Sequence, residues 1–70
     1  MPKIPKGKDF IKKMAKLGFE IVRQKGSHVV MKKGARIIIV PVHSGKELKL
    51  GLFKALLKDV EINESEFWEL

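Results

Sequence analysis

Ser27-His28-Val29-Val30-Met31-Lys32-Lys33-Gly34-Ala35-Arg36-Ile37-Ile38-Ile39-Val40-Pro41-Val42 reads as two strands and the turn between them. In Ser27–Lys33, alternation puts Val29 and Met31 on one face and His28, Val30 and Lys32 on the other. Lys33-Gly34 turns the chain into Ala35–Val42, where the density of β-branched residues gives the strongest strand signal of the sequence. Its run Ile37-Ile38-Ile39-Val40 is apolar on both faces, so this strand is expected to have neighbours or cover on both sides. Upstream, Phe19–Arg23 is a shorter strand with Phe19 and Ile21 on one face, and Gln24–Ser27 is a turn. Parallel pairing needs a long crossover between strands. Three strands joined by tight turns therefore make an antiparallel meander.

On either side of this meander the period changes to that of a helix. In Lys8–Leu17, Phe10, Ile11, Met14 and Leu17 fall on one side, and Lys8, Lys12, Lys13 and Lys16 on the other. Gly18 is a natural stop, and Met1–Gly7, with Pro2, Pro5 and Gly7, is an extended lead-in. After the strands, Ser44-Gly45-Lys46-Glu47 has capping-box spacing. A helix begun there would contain Gly51, at ~1 kcal/mol against alanine. Gly45–Leu50 is thus read as a loop or single turn, and Gly51–Val60 as the helix, with Leu52, Phe53, Leu56, Leu57 and Val60 as its stripe. Asn63–Glu66 is a second cap, flanked by Ile62 and Phe67 at staple positions. It introduces a short helix carrying Phe67, Trp68 and Leu70.

The fold class that follows is α+β, in the order α-β-β-β-α with a short C-terminal helix, as a single domain over residues 1–70. A three-stranded sheet of this size cannot bury two amphipathic helices on separate faces. Both helices must lie on one face, leaving the other partly open. Double-stranded-RNA-binding domains share that layout.

A chain of 70 residues buries only ~60% of its unfolded surface, so a staple of some kind is expected. The absence of cysteine excludes disulfides, thiolate zinc sites and cysteine nucleophiles. His28 and His43 are too few for a convincing metal centre, which leaves association with a partner. The longest apolar run, Ile37–Val42, is interrupted by Pro41 and falls far short of the ~20 residues that span a bilayer. No signal peptide is evident, no membrane association is expected, and the cytoplasm is the default compartment.

The formal net charge is +7, and it is unevenly placed. Residues 1–36 hold eleven Lys/Arg against Asp9 and Glu20, which makes +9, whereas residues 37–70 hold four lysines against six acids, which makes −2. Such a basic body points to an anionic partner, nucleic acid foremost. A merely solvated lysine surface is the plainer alternative.

Lys25-Gly26-Ser27-His28 is where that surface meets a proton carrier. Imidazole is the side chain whose ordinary pKa, ~6.5, lets it exchange a proton at cellular pH. RNA supplies its own nucleophile in the 2′-hydroxyl, so its cleavage needs a base for that oxygen, an acid for the leaving 5′-oxygen and a cation for the phosphoryl charge. His28 can serve as base or acid, with Lys25, Lys32 or Lys46 as the cation. Lys12 and Lys16, on the first helix, are candidate phosphate contacts. Gly26 and Ser27 form the turn that supports His28, and Ser27 lacks an obvious Asp-His-Ser arrangement. His43 sits in a loop with no assigned role. Taken alone, a histidine in a strand is more often structural than catalytic. Phe10, Phe19 and Phe53 occupy core positions, so only Phe67 and Trp68 are candidates for exposure, and their acidic surroundings favour packing on the body or on a protein partner.

Gly26-Ser27-His28, then Val40-Pro41-Val42-His43, then Gly45-Lys46-Glu47-Leu48-Lys49, in this order and at these separations, resemble the HicA family of toxins, also called YcfA-like. The resemblance runs from about Lys6 to Ile62. Family members often carry Pro-Gly-Thr where this chain has Leu50-Gly51-Leu52, and Ala-Gly where it has Val60-Glu61. Both departures fall at helix boundaries and leave the His28 motif intact. The resemblance implies a double-stranded-RNA-binding-like fold and a ribonuclease toxin of a type II toxin–antitoxin pair that cleaves mRNA without the ribosome. It also implies His28 as the functional histidine and neutralisation by a HicB-type antitoxin. No cofactor or metal is expected, and DNA would be reached only through the antitoxin. Two other classes remain open from the residues themselves: a non-catalytic RNA-binding module, and a subunit that meets only protein through Phe67 and Trp68.

Overall fold

The computed structural model describes residues 3–70. Of the expected extended lead-in, Met1 and Pro2 lie outside the described residues, and the helix that follows starts at Gly7. The elements are α1 (Gly7–Lys16), β1 (Glu20–Lys25), β2 (His28–Lys33), β3 (Arg36–Pro41), α2 (Leu50–Val60) and α3 (Glu64–Glu69). The strands form one antiparallel sheet in the order β1-β2-β3. This is the expected α+β meander, with both long helices packed against β3.

Local chemistry accounts for four of the boundaries. The two hairpin loops, Gly26-Ser27 and Gly34-Ala35, open on glycines at φ 58° and 60°. Positive φ at the first central residue is what a tight II′ hairpin requires. Helix α1 ends in a full Schellman closure, Gly18 N–H donating to Ala15 O and Phe19 N–H to Met14 O, both at 3.1 Å. Helix α3 starts on the expected capping box: Glu66 N–H donates to Asn63 Oδ1 at 2.8 Å and Asn63 N–H to Glu66 Oε1 at 3.0 Å. Ser44-Gly45 forms a turn rather than a helix start, and α2 begins at Leu50.

The core lies between the helix layer and the inner sheet face. Phe10 and Met14 of α1 and Phe53, Leu56 and Leu57 of α2 meet Val29, Met31, Ile38 and Val40 from the sheet. Phe67 of α3 is fully buried and completes an aromatic group, stacked on Phe10 at 5.2 Å and edge-on to Phe53 at 5.1 Å. Its place in the core resolves the choice left open for that aromatic. The lead-in is tied to the segment before α2 by an isolated backbone β-bridge between Lys6 and Glu47 and by Leu48 N–H donating to Pro5 O at 2.9 Å. Where α1 enters, Gly7 lies so close to β3 that a Cβ would strike the Pro41 carbonyl oxygen.

Two expectations are corrected. Strand β3 is an edge strand, and the outer half of its apolar run has no cover: Ile37 is 58% exposed and Ile39 52%. Strand β1 runs two residues further than expected, and all six of its residues are exposed. A bulge between Ile21 and Arg23 shifts its register on β2. The bulge adds twist and makes an edge less available for further pairing.

Candidate functional site

The face of the sheet away from the helices carries His28. In the ladders, His28 stands opposite Lys25 on one side and Pro41 on the other, and one pair further along Val30 stands between Arg23 and Ile39. Paired residues share a face. This arrangement makes a shallow depression lined by Arg23, Lys25, Gly26, Ser27, His28, Val30 and Ile39. The imidazole is exposed, and among the described residues no hydrogen bond holds it.

What fixes the position of His28 is backbone. Val42 N–H donates to Ser27 O at 2.6 Å, carrying the β2–β3 pairing one step past Pro41 and clamping the turn before His28. On the other side, Gln24 Nε2 donates to Gly26 O at 3.2 Å. Ser27 contributes its carbonyl to this clamp, not its hydroxyl.

The lysines singled out from sequence fall in four places on three surfaces. Lys25 lies in the His28 depression. Lys32 shares the face but is four residues along the strand, ~13 Å away at the usual rise, and stands between Glu20 and Ile37. Lys46 lines a separate depression with His43, Lys49 and Pro41 at the end of β3. Lys12 and Lys16 lie on α1, on the helix side of the molecule, in a groove with Trp68. Arg23 is the residue that sequence reading missed. Ending the first strand at Arg23 left it at a boundary. Extended to Lys25, the same strand carries both cations towards His28.

Ionic contacts inside the protein do not compete for these groups. Among the described residues the one ion pair joins Arg36 to Glu61 at 3.5 Å, at the far end of the sheet from His28. Nor do the described residues hold a cluster of three or more His, Cys, Asp or Glu suited to a metal ion. No helix among them is long and apolar enough to cross a membrane.

No curated protein matches the chain. A family model described as the HicA toxin of bacterial toxin-antitoxin systems matches residues 7–62, from the first residue of α1 to the segment just before α3. That span includes the whole sheet, the clamped turn and the His28 depression, and it covers most of the sequence. The chain therefore belongs to the HicA family of toxins of bacterial toxin–antitoxin systems.

Proposed function

We propose that this toxin is an endoribonuclease that cleaves mRNA independently of the ribosome, with His28 as its catalytic residue and no metal. One observation carries the reading: His28 is exposed on the open sheet face, in a depression whose charged lining is Arg23 and Lys25. In the reaction the 2′-oxygen attacks phosphorus and the bond to the 5′-oxygen breaks, leaving a 2′,3′-cyclic phosphate. One proton leaves the 2′-hydroxyl and one reaches the 5′-oxygen. Because the nucleophile belongs to the substrate, no water has to be activated to begin the reaction. His28 moves one of these protons, and a positioned acid or base contributes ~10²–10⁴-fold. Arg23 and Lys25 offset the charge that develops on the phosphoryl oxygens, the guanidinium with a fork suited to two of them. Gly26 and Ser27 hold the turn. Lys46, Lys12 and Lys16 contact phosphates further from the cleaved bond, as does Lys32 on its own part of the sheet.

A HicB-type antitoxin restrains the enzyme by covering this face. Val30, Ile37 and Ile39 form an apolar strip beside His28, edged by Arg23, Lys25 and Lys32. An apolar centre with a charged rim is the anatomy of a protein interface, and the basic rim favours an acidic partner by steering its approach. A standard interface takes ~800 Å² from each partner, about one-sixth of the 4873 Å² that this protein exposes.

The test is to incubate the purified protein with RNA in excess chelator, beside His28→Ala. Cleavage by the parent and none by the variant is expected, with a 2′,3′-cyclic phosphate at the new end. RNA that binds in a salt-sensitive way and stays intact would make the protein a non-catalytic RNA-binding module instead.

A further inference from the structure

The helix side of the molecule carries a second basic surface that the His28 depression does not account for. Five lysines, at positions 3, 6, 12, 13 and 16, line one groove against two carboxylates, Asp9 and Glu47, and Trp68 lines it with them. The acids of α3 do not line this groove.

Trp68 is held for use as a platform. Its indole meets the Phe67 ring edge-on at 4.9 Å and Phe53 at 6.3 Å, so the aromatic group of the core fixes it from within. The side chain is half-buried, and the Lys3 ammonium stands 4.4 Å from the ring centroid. Lys13 Nζ lies 5.7 Å from the same centroid and is anchored by donating to Leu70 O at 2.9 Å. A fixed aromatic ring bordered by cations matches the parts of a nucleotide. A base has a π-face to stack, and its phosphates seek ammonium groups.

The groove also connects with His28. Pro41 stands opposite His28 in the ladder and lines the depression of His43, Lys46 and Lys49. Glu47 lines that depression and the lysine groove. The three depressions are thus neighbours around the end of β3, with Pro41 and Glu47 at their boundaries.

We propose that the α1 groove binds single-stranded RNA, stacking one base on Trp68 and seating the flanking phosphates on Lys12, Lys13 and Lys16. It rests on the ribonuclease reading for its ligand and adds a contact that takes no part in the chemistry. Lys3, which covers the ring in the free protein, exchanges the indole for a phosphate when a base arrives. Single-stranded RNA fits better than a protein, because none of the exposed aliphatic residues a protein would seek, Ile21, Val22, Ile37, Ile39 and Leu50, lines the groove. Trp68 and Lys3 both lie outside residues 7–62, so the stacking part of the site comes from segments beyond the span that the family model matches, and the phosphate-seating lysines of α1 from within it.

Trp68 is the only tryptophan of the chain, so its fluorescence reports on this groove alone. The His28→Ala protein, which keeps the RNA intact, is titrated with a twelve-nucleotide single-stranded RNA of mixed sequence. Saturable quenching is expected, weakening as salt is raised. By fluorescence anisotropy of labelled RNA, Trp68→Leu should bind about tenfold more weakly, and Trp68→Phe should recover most of the loss. Lys12→Glu with Lys16→Glu, both at exposed positions, gives an independent readout if Trp68→Leu does not fold, and should abolish the quenching. RNA binding with unchanged tryptophan emission overturns the proposal, as does equal quenching by a poly-glutamate of similar charge, which would assign the groove to acidic protein. Loss of cleavage in His28→Ala together with silent tryptophan emission sinks the groove alone. Quenching by RNA that the parent protein never cuts keeps the groove and sinks the nuclease.

Discussion

Lys25 and His28 face each other across the last pair of the β1–β2 ladder, one on each side of the Gly26-Ser27 loop. The loop is two residues long and opens on a left-handed glycine, so this pairing has little freedom to slip. Geometry of this kind places a cation beside a proton carrier without any side-chain hydrogen bond between them.

His28→Ala should therefore separate chemistry from fold. The imidazole is exposed and supports no packing, so stability should change by no more than ~0.5 kcal/mol. RNA cleavage should fall by ~10²–10⁴-fold or more, and growth inhibition with it. Thermal unfolding and a timed cleavage assay on the same preparation check both halves. A well-folded variant that still cuts RNA would remove His28 from the role proposed.

Lys12→Ala with Lys16→Ala should flatten the salt dependence of RNA binding. Each neutralised phosphate contributes about −0.7 to the logarithmic slope for a single strand, so losing two should lessen it by ~1.4. Affinity measured at four or five salt concentrations gives the slope directly. An unchanged slope would leave these lysines as an ordinary solvated face.

Glu61 closes α2 at φ 60°, the left-handed region in which a side chain is strained. Arg36 reaches it, with its guanidinium 3.5 Å from the carboxylate and a bond of 2.7 Å to Asp59 O. The ion pair is exposed and is worth little. Glu61→Gly should then stabilise the protein by about 0.5–1 kcal/mol, raising Tm by ~2–8 °C in a domain this small. Glu61→Ala, which loses the pair and keeps the strain, should not. Calorimetry on the two variants distinguishes them.

Phe67→Ala should cost ~3–5 kcal/mol, a large share of the stability of so small a protein. The residue is fully buried against Phe10 and Phe53 although it lies beyond residues 7–62. Urea unfolding followed by circular dichroism reads the loss. A midpoint close to that of the parent would mean that α3 is an appendage and not part of the core.

Ile37→Ser should weaken capture by the antitoxin about tenfold while the sheet persists, because the side chain is largely exposed on the face assigned to that partner. Co-expression with the neighbouring reading frame, followed by co-purification and titration, is the measurement. A neighbour that binds Ile37→Ser as tightly as the parent docks elsewhere.

Much of the fold can be read from local chemistry because the elements are separated by unambiguous punctuation. Gly18, Gly26 and Gly34 mark three boundaries, and the Asn63–Glu66 box marks a fourth. Ile37-Ile38-Ile39-Val40 misleads for a physical reason. Apolarity on two faces registers a demand for cover, and it does not say whether the cover comes from the same chain. In β3 the inner half packs on the helices and the outer half stays bare. Arg23 escapes notice because regular alternation would put it on the face of Phe19 and Ile21, and the bulge between Ile21 and Arg23 turns it to the face of His28. The lysines scatter over three surfaces because spacing along a chain carries no information about which loop turns towards which face. His28 is different, since its strand, its face and its turn are all written within a few residues.

Strand β1 is tied to the sheet along one edge only, and all of its side chains reach solvent. Amide hydrogens there should exchange through small openings that leave the helices and the other two strands in place. Arg23 and Lys25 depart with that strand, so the electrostatic half of the depression dissolves in a motion far cheaper than unfolding. The intact depression is then a population, set by how often β1 is docked, and any ligand that spans β1 and β2 raises it by mass action. On the ribonuclease reading proposed above, RNA helps to assemble the cleft that receives it.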